Sequence, residues 1–223
     1  MNDKMGRNVG IHIAISDYFA NIKKYFKNPV LIEERSLANK EDGAYKDALT
    51  GLFNRRYFDQ EMPSGIAKFR RFGIPFSLLM LDLDHFKRFN TKHGHQAGDA
   101  ALQTVAEVLR QSIRVYDRVT RYGGEEFAII LHQSSRSDAA LVAEKIRALI
   151  KEQSIVYNGL SLGGITVSIG IATCPIDALD VPSLLRRADQ ALYVAKRQRN
   201  SVVAFCDYNR TIPQHVQERR LMA

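Results

Sequence analysis

The sequence predicts an α/β (α+β) fold in which helices pack on a mixed central sheet of palm or ferredoxin-like topology. Three observations lead to this class. Amphipathic helical patterns alternate with apolar strand-like runs along most of the chain, an order that places helices against a sheet. A nearly continuous apolar run at residues 75–84 predicts a central strand buried on both faces. A turn at Gly123 and Gly124 joins two further strands as a hairpin, so at least one strand pair is antiparallel.

Residues 1–45 differ from the rest of the chain and are expected to form a helical stalk or regulatory segment. Their apolar side chains recur at a 4-3-4-3 spacing, at Ile11, Ile15, Tyr18, Ile22 and Tyr25. That spacing is typical of a helix that packs against a second helix. A helix packed on its own domain and a dimer stalk are both compatible with it. We place the main domain at residues 46–207 and a polar C-terminal tail at 208–223.

The first helix of the main domain is expected to begin near Arg55, with Thr50 or Asn54 as its N-cap. Gly73 should end this helix, and Pro63 inside its pattern predicts a kink or a break.

Further helices and strands follow the central strand. We expect a short helix over residues 85–94, a loop over 95–99, helices over 100–115, 137–150 and 181–199, and strands over 165–173 and 202–205. Gly170, inside one of these strands, indicates a close approach of another stretch of backbone.

Carboxylates stand at the end of the central strand and at the hairpin turn. Asp82 ends the buried strand, where it is well placed to bind a metal, whereas Asp84 is expected to be solvated and to cap the next helix. Glu125 and Glu126 follow the two glycines, whose lack of a Cβ lets backbone approach a ligand closely. Acids beside such a turn favour a hard cation that carries a phosphate.

Composition excludes several classes of protein. Lys+Arg 32 against Asp+Glu 24 gives a net charge of +8, which we interpret mainly as a solvated basic surface. Cys174 and Cys206 lack metal-site spacing, so neither a zinc site nor a disulfide framework is expected, and a cytoplasmic setting fits. No run has the length of a membrane span and no signal-peptide core is present. Nucleic-acid binding is not expected, because no recognised motif accompanies the charge.

Several motifs, in order, resemble the signatures of the GGDEF family, the diguanylate cyclases. They are Asp47-x-Leu-Thr-Gly-Leu-x-Asn-Arg-Arg56, Leu81-Asp-Leu-Asp-His-Phe-Lys87, Asn90-x-x-x-Gly-His-x-x-Gly-Asp99, Arg121-Tyr-Gly-Gly-Glu-Glu-Phe127 and Ala188-Asp-x-Ala-Leu-Tyr-x-Ala-Lys196. Several long motifs in the right order are far more specific than any one of them. The resemblance implies the nucleotide cyclase form of the palm fold.

The resemblance also implies a reaction, in which two GTP molecules condense to cyclic di-GMP with release of two pyrophosphates. Mg²⁺ or Mn²⁺ would be held by Asp82, Glu125 and the Leu83 carbonyl. Glu125, Glu126 and Lys87 would be the catalytic residues. A catalytically inactive domain that senses GTP or cyclic di-GMP is the alternative.

The same resemblance implies a substrate-binding set. Asn90 and Asp99 match the family's guanine readers, His95 lies in the nucleotide-side loop, and Gly123 and Gly124 make room for phosphates. Lys196 would neutralise phosphate charge. The family usually continues Ala-Lys-x-x-Gly-Arg-Asn, whereas this chain lacks the glycine and is one residue shorter, so Arg199 aligns with the phosphate-binding arginine only across a gap.

Regulation and assembly are implied as well. Arg114 and Asp117 form an RxxD pattern ahead of the signature, which looks like the family's product-inhibition site for cyclic di-GMP. Since each active site of this family holds one GTP, two sites must face each other in a homodimer. Residues 1–45 would set that dimer, directly or through an activating protein that docks on them.

Overall fold

The computed structural model describes residues 44–205. The predicted N-terminal segment, apart from its last two residues, and the C-terminal tail therefore lie outside the described residues. The elements are β1 (Phe53–Asn54), α1 (Arg55–Phe72), β2 (Phe76–Leu83), α2 (Phe86–His93), α3 (His95–Ser112), β3 (Arg118–Gly123), β4 (Glu126–His132), α4 (Arg136–Glu152), β5 (Val156–Tyr157), β6 (Leu160–Ser161), β7 (Val167–Cys174), α5 (Val181–Gln198) and β8 (Val202–Ala204).

The central sheet is mixed, as the sequence predicted. Within residues 44–205 it has six strands in the order β1-β3-β4-β2-β7-β8. The two outer pairs, β1 with β3 and β7 with β8, are parallel, and the inner pairs are antiparallel. Strands β5 and β6 form a small separate hairpin.

The strand β2 lies at the centre and is buried on both faces, which explains its continuous apolar sequence. Leu79, Leu81 and Leu83 pack in one core cluster with α3 and α4. The alternate residues Leu78 and Met80 pack in a second cluster with α1 and α5. Side chains of a strand alternate between faces, so a strand covered by helices on both sides needs apolar residues at every position.

For helix α1, the structure confirms the predicted cap and the predicted end and corrects the predicted break. The Asn54 side chain caps it by accepting from the Tyr57 amide, and Gly73 ends it in a left-handed conformation. The predicted break at Pro63 is absent, because the helix runs through this residue to Phe72.

The predicted loop at residues 95–99 is wrong, because these residues form the first turn of α3. Gly94, with φ of 88°, separates α2 from α3, and its amide donates to the Asn90 carbonyl. Ala97 and Gly98 are buried in that first turn. Their small size lets α3 start directly against α2, so no loop is needed.

The other boundaries move by a few residues. The expected helix at 100–115 ends at Ser112, and α4 extends beyond 137–150 at both ends, starting from a Ser135–Asp138 capping box. The strands expected at 165–173 and 202–205 correspond to β7 and β8. No helix among residues 44–205 is long and apolar enough to cross a membrane.

Candidate active site

The sheet brings the end of β2 beside the glycine turn of the β3–β4 hairpin. Asp82 of β2 is the register partner of Glu126 of β4, and the Leu83 amide donates to the Glu125 carbonyl at 3.3 Å. The two groups of acids that the sequence singled out are therefore neighbours. A cavity of about 780 Å³ opens beside them, lined by predicted site residues, namely Asp82, Leu83, Lys87, Glu125, Glu126, Lys196 and Arg199.

The donor set on the cavity wall suits a hard divalent cation. Burial raises the pKa of Asp82, and burial together with the charge of Asp82 raises the pKa of Glu125. Burial disfavours the charge on both acids and the Asp82 charge adds to the cost at Glu125, so a bound cation would stabilise both carboxylates. No group of three or more His, Cys, Asp or Glu side chains within residues 44–205 is arranged to hold a metal. Two carboxylates and the Leu83 carbonyl still fit Mg²⁺, which usually keeps waters and phosphate oxygens in its shell.

Lys196 of α5 points into this acidic site. Its Nζ lies 2.5 Å from Asp82 Oδ1 and 3.3 Å from Asp84 Oδ1, and it donates to the Leu83 carbonyl at 2.9 Å. Helix α5 reaches the sheet so closely because Gly170 of β7 has no Cβ. A Cβ there would collide with backbone atoms of Ala188 and Leu192, which confirms the predicted close approach.

The sequence prediction for Asp84, as a solvated residue that caps the next helix, is wrong. Its side chain is 1% exposed, and it does not cap the following helix, whose N-cap residue is His85. It accepts from Thr166 Oγ1, Ser168 Oγ and the Asn200 amide, each at 2.8 Å. Burial raises the pKa of Asp84, but these hydrogen bonds and the Lys196 charge outweigh it, so the pKa is lowered. Asp84 thus ties the end of β2 to β7 and to the segment after α5.

The predicted guanine readers lie on α2 and α3, outside the residues that line the 780 Å³ cavity. Asn90 Oδ1 is buried and has no hydrogen-bond partner in the described chain. His95 and Asp99 are exposed on the first turn of α3. An orphaned buried acceptor is costly, so it marks a place where a ligand donor is expected.

Gly98 packs against Asn90, although the sequence interpretation gave it no role. A Cβ at this position would collide with the Asn90 side chain. Only glycine leaves Asn90 in place. A glycine inside an otherwise regular helix was the signal that would have identified it.

Arg121 holds the glycine turn, and its partner Asp47 was also missed. The guanidinium donates to the Gly124 carbonyl through Nε at 3.1 Å and Nη2 at 2.9 Å. Its Nη1 lies 3.2 Å from both carboxylate oxygens of Asp47. Thr50 donates to the same carboxylate through its amide and hydroxyl. The loop that opens the domain is therefore bonded directly to the turn that carries Glu125.

The departure from the family pattern after Lys196 has a structural counterpart. Arg199 ends α5 with φ of 58°, and its amide donates to the Ala195 carbonyl. It stands third after Lys196, where the family pattern has glycine, and it adopts the left-handed backbone that glycine favours. Its exposed side chain still lines the cavity.

At the predicted inhibitory site, Asp117 is buried and its two oxygens bind backbone. Oδ2 accepts from the Arg114 amide at 3.1 Å, and Oδ1 accepts from the His132 amide at 3.0 Å. Arg114 is exposed, and both residues line a second cavity of about 630 Å³. Asp117 therefore shapes this turn, and the Arg114 side chain is the accessible member of the pair.

Together the mixed sheet, the acidic hairpin turn and the cavity between that turn and α5 define a nucleotide-cyclase type of α/β domain. The family model for the diguanylate cyclase GGDEF domain matches residues 44–201, and the chain belongs to this family.

Several curated and solved relatives share this domain. The chain is 43% identical over 127 residues to diguanylate cyclase A of Treponema denticola and 38% identical over 162 residues to the response regulator PleD of Caulobacter vibrioides. These matches cover 56% and 72% of the chain but only 34% and 36% of the relatives.

Two solved structures extend the comparison. The coiled coil and GGDEF domain of DgcB from Caulobacter crescentus, in complex with c-di-GMP, matches with a TM-score of 0.71 and 33% identity, covering 87% of this chain and 98% of that one. Diguanylate cyclase SiaD in complex with its activator SiaC from Pseudomonas aeruginosa matches with a TM-score of 0.72 and 32% identity, covering 86% of this chain and 70% of that one.

Proposed function

We propose that this chain is a diguanylate cyclase that condenses two GTP molecules into cyclic di-GMP across a dimer of its domains. The observation that carries this proposal is the cavity in which Asp82, Glu125 and Glu126 face Lys87 and Lys196. Acids for a metal and lysines for phosphates are the two halves of a phosphoryl-transfer site.

In each half-reaction a ribose 3′-oxygen forms a bond to an α-phosphorus while the bond to the bridging oxygen of pyrophosphate breaks. Asp82, Glu125 and the Leu83 carbonyl would hold Mg²⁺ or Mn²⁺, which would polarise the phosphate and lower the pKa of the attacking hydroxyl. Glu126, the register partner of Asp82, supports this step from the hairpin. The second half-reaction closes the ring and releases the second pyrophosphate.

The remaining residues bind and orient GTP. Asn90 of α2 offers its unpartnered Oδ1 to a guanine N–H, and His95 and Asp99 lie at the start of the following helix, α3. A carboxylate accepts well from guanine N1–H and the N2 amino group. Gly123 and Gly124 let the turn lie against the phosphates, and Lys87, Lys196 and Arg199 neutralise their charge.

The direct test is product analysis after incubation with GTP and Mg²⁺. The wild-type chain should release cyclic di-GMP, and Glu125→Gln should lose at least about a hundredfold of that rate, since it removes a charged ligand. Glu144→Gln, on the exposed side of α4, is the matched control and should keep wild-type activity. GTP binding without any product would instead support the inactive sensor.

Product inhibition is proposed through Arg114. Its planar fork suits phosphate or the guanine edge, and Asp117 keeps the turn that presents it. The DgcB complex with c-di-GMP supports binding of product by such a domain. Added cyclic di-GMP should slow the wild-type enzyme, and Arg114→Ala should weaken that inhibition. If added cyclic di-GMP slowed neither the wild type nor Arg114→Ala, the proposed inhibitory site would be refuted.

We propose that dimerisation depends on residues 1–45, or on an activating protein that docks there. The similar SiaD in complex with its activator SiaC supports a protein activator for such a domain. Removal of residues 1–40 should lower both specific activity and the dimer fraction. Unchanged values of both would refute this role.

A further inference from the structure

Lys196 contacts the same atoms that the proposed metal site assigns to a divalent cation. Its ammonium contacts the Asp82 carboxylate at 2.5 Å and the Leu83 carbonyl at 2.9 Å. A third contact, to Asp84 at 3.3 Å, fixes the ammonium from the deeper side. The family resemblance predicted a phosphate partner for this lysine, but the structure gives it the metal's ligands instead.

The local charge balance explains this position. Four carboxylates meet where β2 ends and the hairpin turns, namely Asp82, Asp84, Glu125 and Glu126. The Lys196 ammonium contacts two of these carboxylates directly, Asp82 and Asp84. Half-buried carboxylates without a counter-charge are costly. In the metal-free protein, the ammonium of Lys196 supplies that charge.

A divalent cation and the ammonium exclude each other here. A cation bound to Asp82 Oδ1 and the Leu83 carbonyl would lie within about 4 Å of the ammonium at its present place, where like charges repel strongly. The lysine stem is long and flexible, so the ammonium can leave without a backbone change. GTP brings phosphate oxygens into the same cavity, and these are an alternative partner for it.

We propose that Lys196 is a resident counter-cation of the proposed metal site, which a divalent cation displaces and which transfers to the nucleotide phosphates when metal and nucleotide both bind. This inference rests on the proposed function, since it uses the same ligand set. Metal alone then binds weakly, because it must first displace Lys196. Metal and nucleotide bind with positive coupling, and each raises the affinity for the other by the same factor.

The test measures Mn²⁺ binding to the full chain by electron paramagnetic resonance without any nucleotide. Lys196→Met keeps the stem and removes the charge, so it should bind Mn²⁺ at least about tenfold more tightly than wild type. Lys87→Met is the matched control, because Lys87 lines the same cavity but makes no ion pair with these acids in the described chain. Its affinity should stay within about twofold of wild type.

A non-hydrolysable GTP analogue supplies the second arm. It should tighten Mn²⁺ binding to the wild type strongly and to Lys196→Met much less. Equal Mn²⁺ affinity of the wild type and Lys196→Met without nucleotide would overturn the proposal. If Lys196→Met does not fold, the wild-type protein still tests the proposal. Saturating Mn²⁺ alone should displace the ammonium and so increase acetylation of Lys196 by an amine reagent, which mass spectrometry measures. Unchanged labelling would then overturn it.

Neither readout requires turnover, so the two proposals can fail separately. Tight Mn²⁺ binding by Lys196→Met in a protein that makes no cyclic di-GMP would leave the counter-cation role intact and refute the cyclase. Normal cyclase activity, together with equal Mn²⁺ affinities of the wild type and Lys196→Met, would support the cyclase and refute the counter-cation role.

Discussion

Asp82 is the second-last residue of β2 and Asp84 directly follows the strand, yet their surroundings give Asp84 a structural role and leave Asp82 for the proposed metal site. Burial raises the pKa of Asp82, whereas the hydrogen bonds around Asp84 lower its pKa despite burial. Folding therefore disfavours the charge of Asp82 and favours that of Asp84. A destabilising charge retained on a cavity wall is typical of a binding site.

This contrast predicts opposite effects of two isosteric substitutions. In the metal-free protein at pH 7, Asp84→Asn should cost about 2–4 kcal/mol of unfolding free energy, because its amide meets three donors. Asp82→Asn should lower the unfolding free energy only slightly or should raise it. Urea unfolding measures both values, and an equal cost for the two variants would contradict the assignment.

The pH dependence follows from the lowered pKa of Asp84. Its contribution to stability is present above its unfolded pKa near 3.8 and is lost as the pH falls through the lower folded value. The gap between wild type and Asp84→Asn should therefore narrow below about pH 3.8. A difference in unfolding free energy between the two proteins that stays constant well below pH 3.8 would exclude the ionised form of Asp84 as its source.

The backbone conformation of Arg199 predicts opposite stability changes for two glycine substitutions at the end of α5. Its φ of 58° costs a residue with a Cβ about 1 kcal/mol, so Arg199→Gly should raise stability by that amount. Arg197→Gly, in the last turn of the same helix, should lower it by about 1 kcal/mol. Thermal unfolding of the two proteins checks the signs. Destabilisation by both would contradict the assigned backbone.

At the scale of elements, the contact between α2 and α3 sets the position of Asn90, the proposed guanine-binding residue. A Cβ at Gly98 would collide with Asn90, so Gly98→Ala should weaken binding of a GTP analogue at least about tenfold by displacing that side chain. In an Asn90→Ala background the same change should have little further effect. Calorimetric titration of the four proteins tests this, and additive losses would show that Gly98 acts elsewhere.

The β3–β4 hairpin is held by a single guanidinium that also binds the loop before β1. Arg121→Gln frees the Gly124 carbonyl and Asp47 together, and cyclase turnover should fall at least about tenfold with little change in melting temperature. Asp47→Asn should cost less. The double variant should be no worse than Arg121→Gln, since the three groups act as one unit. Additive losses in turnover would contradict that unit.

The sequence predicted the long elements because each is set by local patterns. The continuous apolar run of β2, the Asn54 and Gly73 caps and the two-glycine hairpin all appear as expected. It missed β1, the β5–β6 hairpin and the first turn of α3. Two-residue strands carry no periodicity, and α3 begins early because Gly98 packs on Asn90, a tertiary contact.

The site was predictable as a list of residues but not as a set of contacts. Motif positions selected Asp82, Glu125, Lys87 and Lys196, and the structure places all four on one cavity. The partners of Asp84 and Lys196, and the Asp47 partner of Arg121, lie 74 to 116 residues away in sequence, so no local pattern reveals them. For the same reason Asp84 was mistaken for a helix cap.

At the scale of the whole molecule, one domain presents only half of the proposed reaction centre. The single acidic site on the cavity of about 780 Å³ is suited to the phosphates of one GTP. Condensation of two nucleotides then requires a second copy to face the first, and the rate should depend on how many domains are paired. The described residues supply the chemistry, and assembly supplies the second substrate.

The most direct measurement is specific activity with GTP and Mg²⁺ across a dilution series, with the dimer fraction measured in the same samples. The account predicts one cyclic di-GMP for two pyrophosphates and a rate per protomer that falls as the dimer dissociates. Excess Glu125→Gln chain should suppress wild-type activity by forming mixed dimers. A rate per protomer that is constant throughout dissociation, or no product from any dimeric sample, would contradict it.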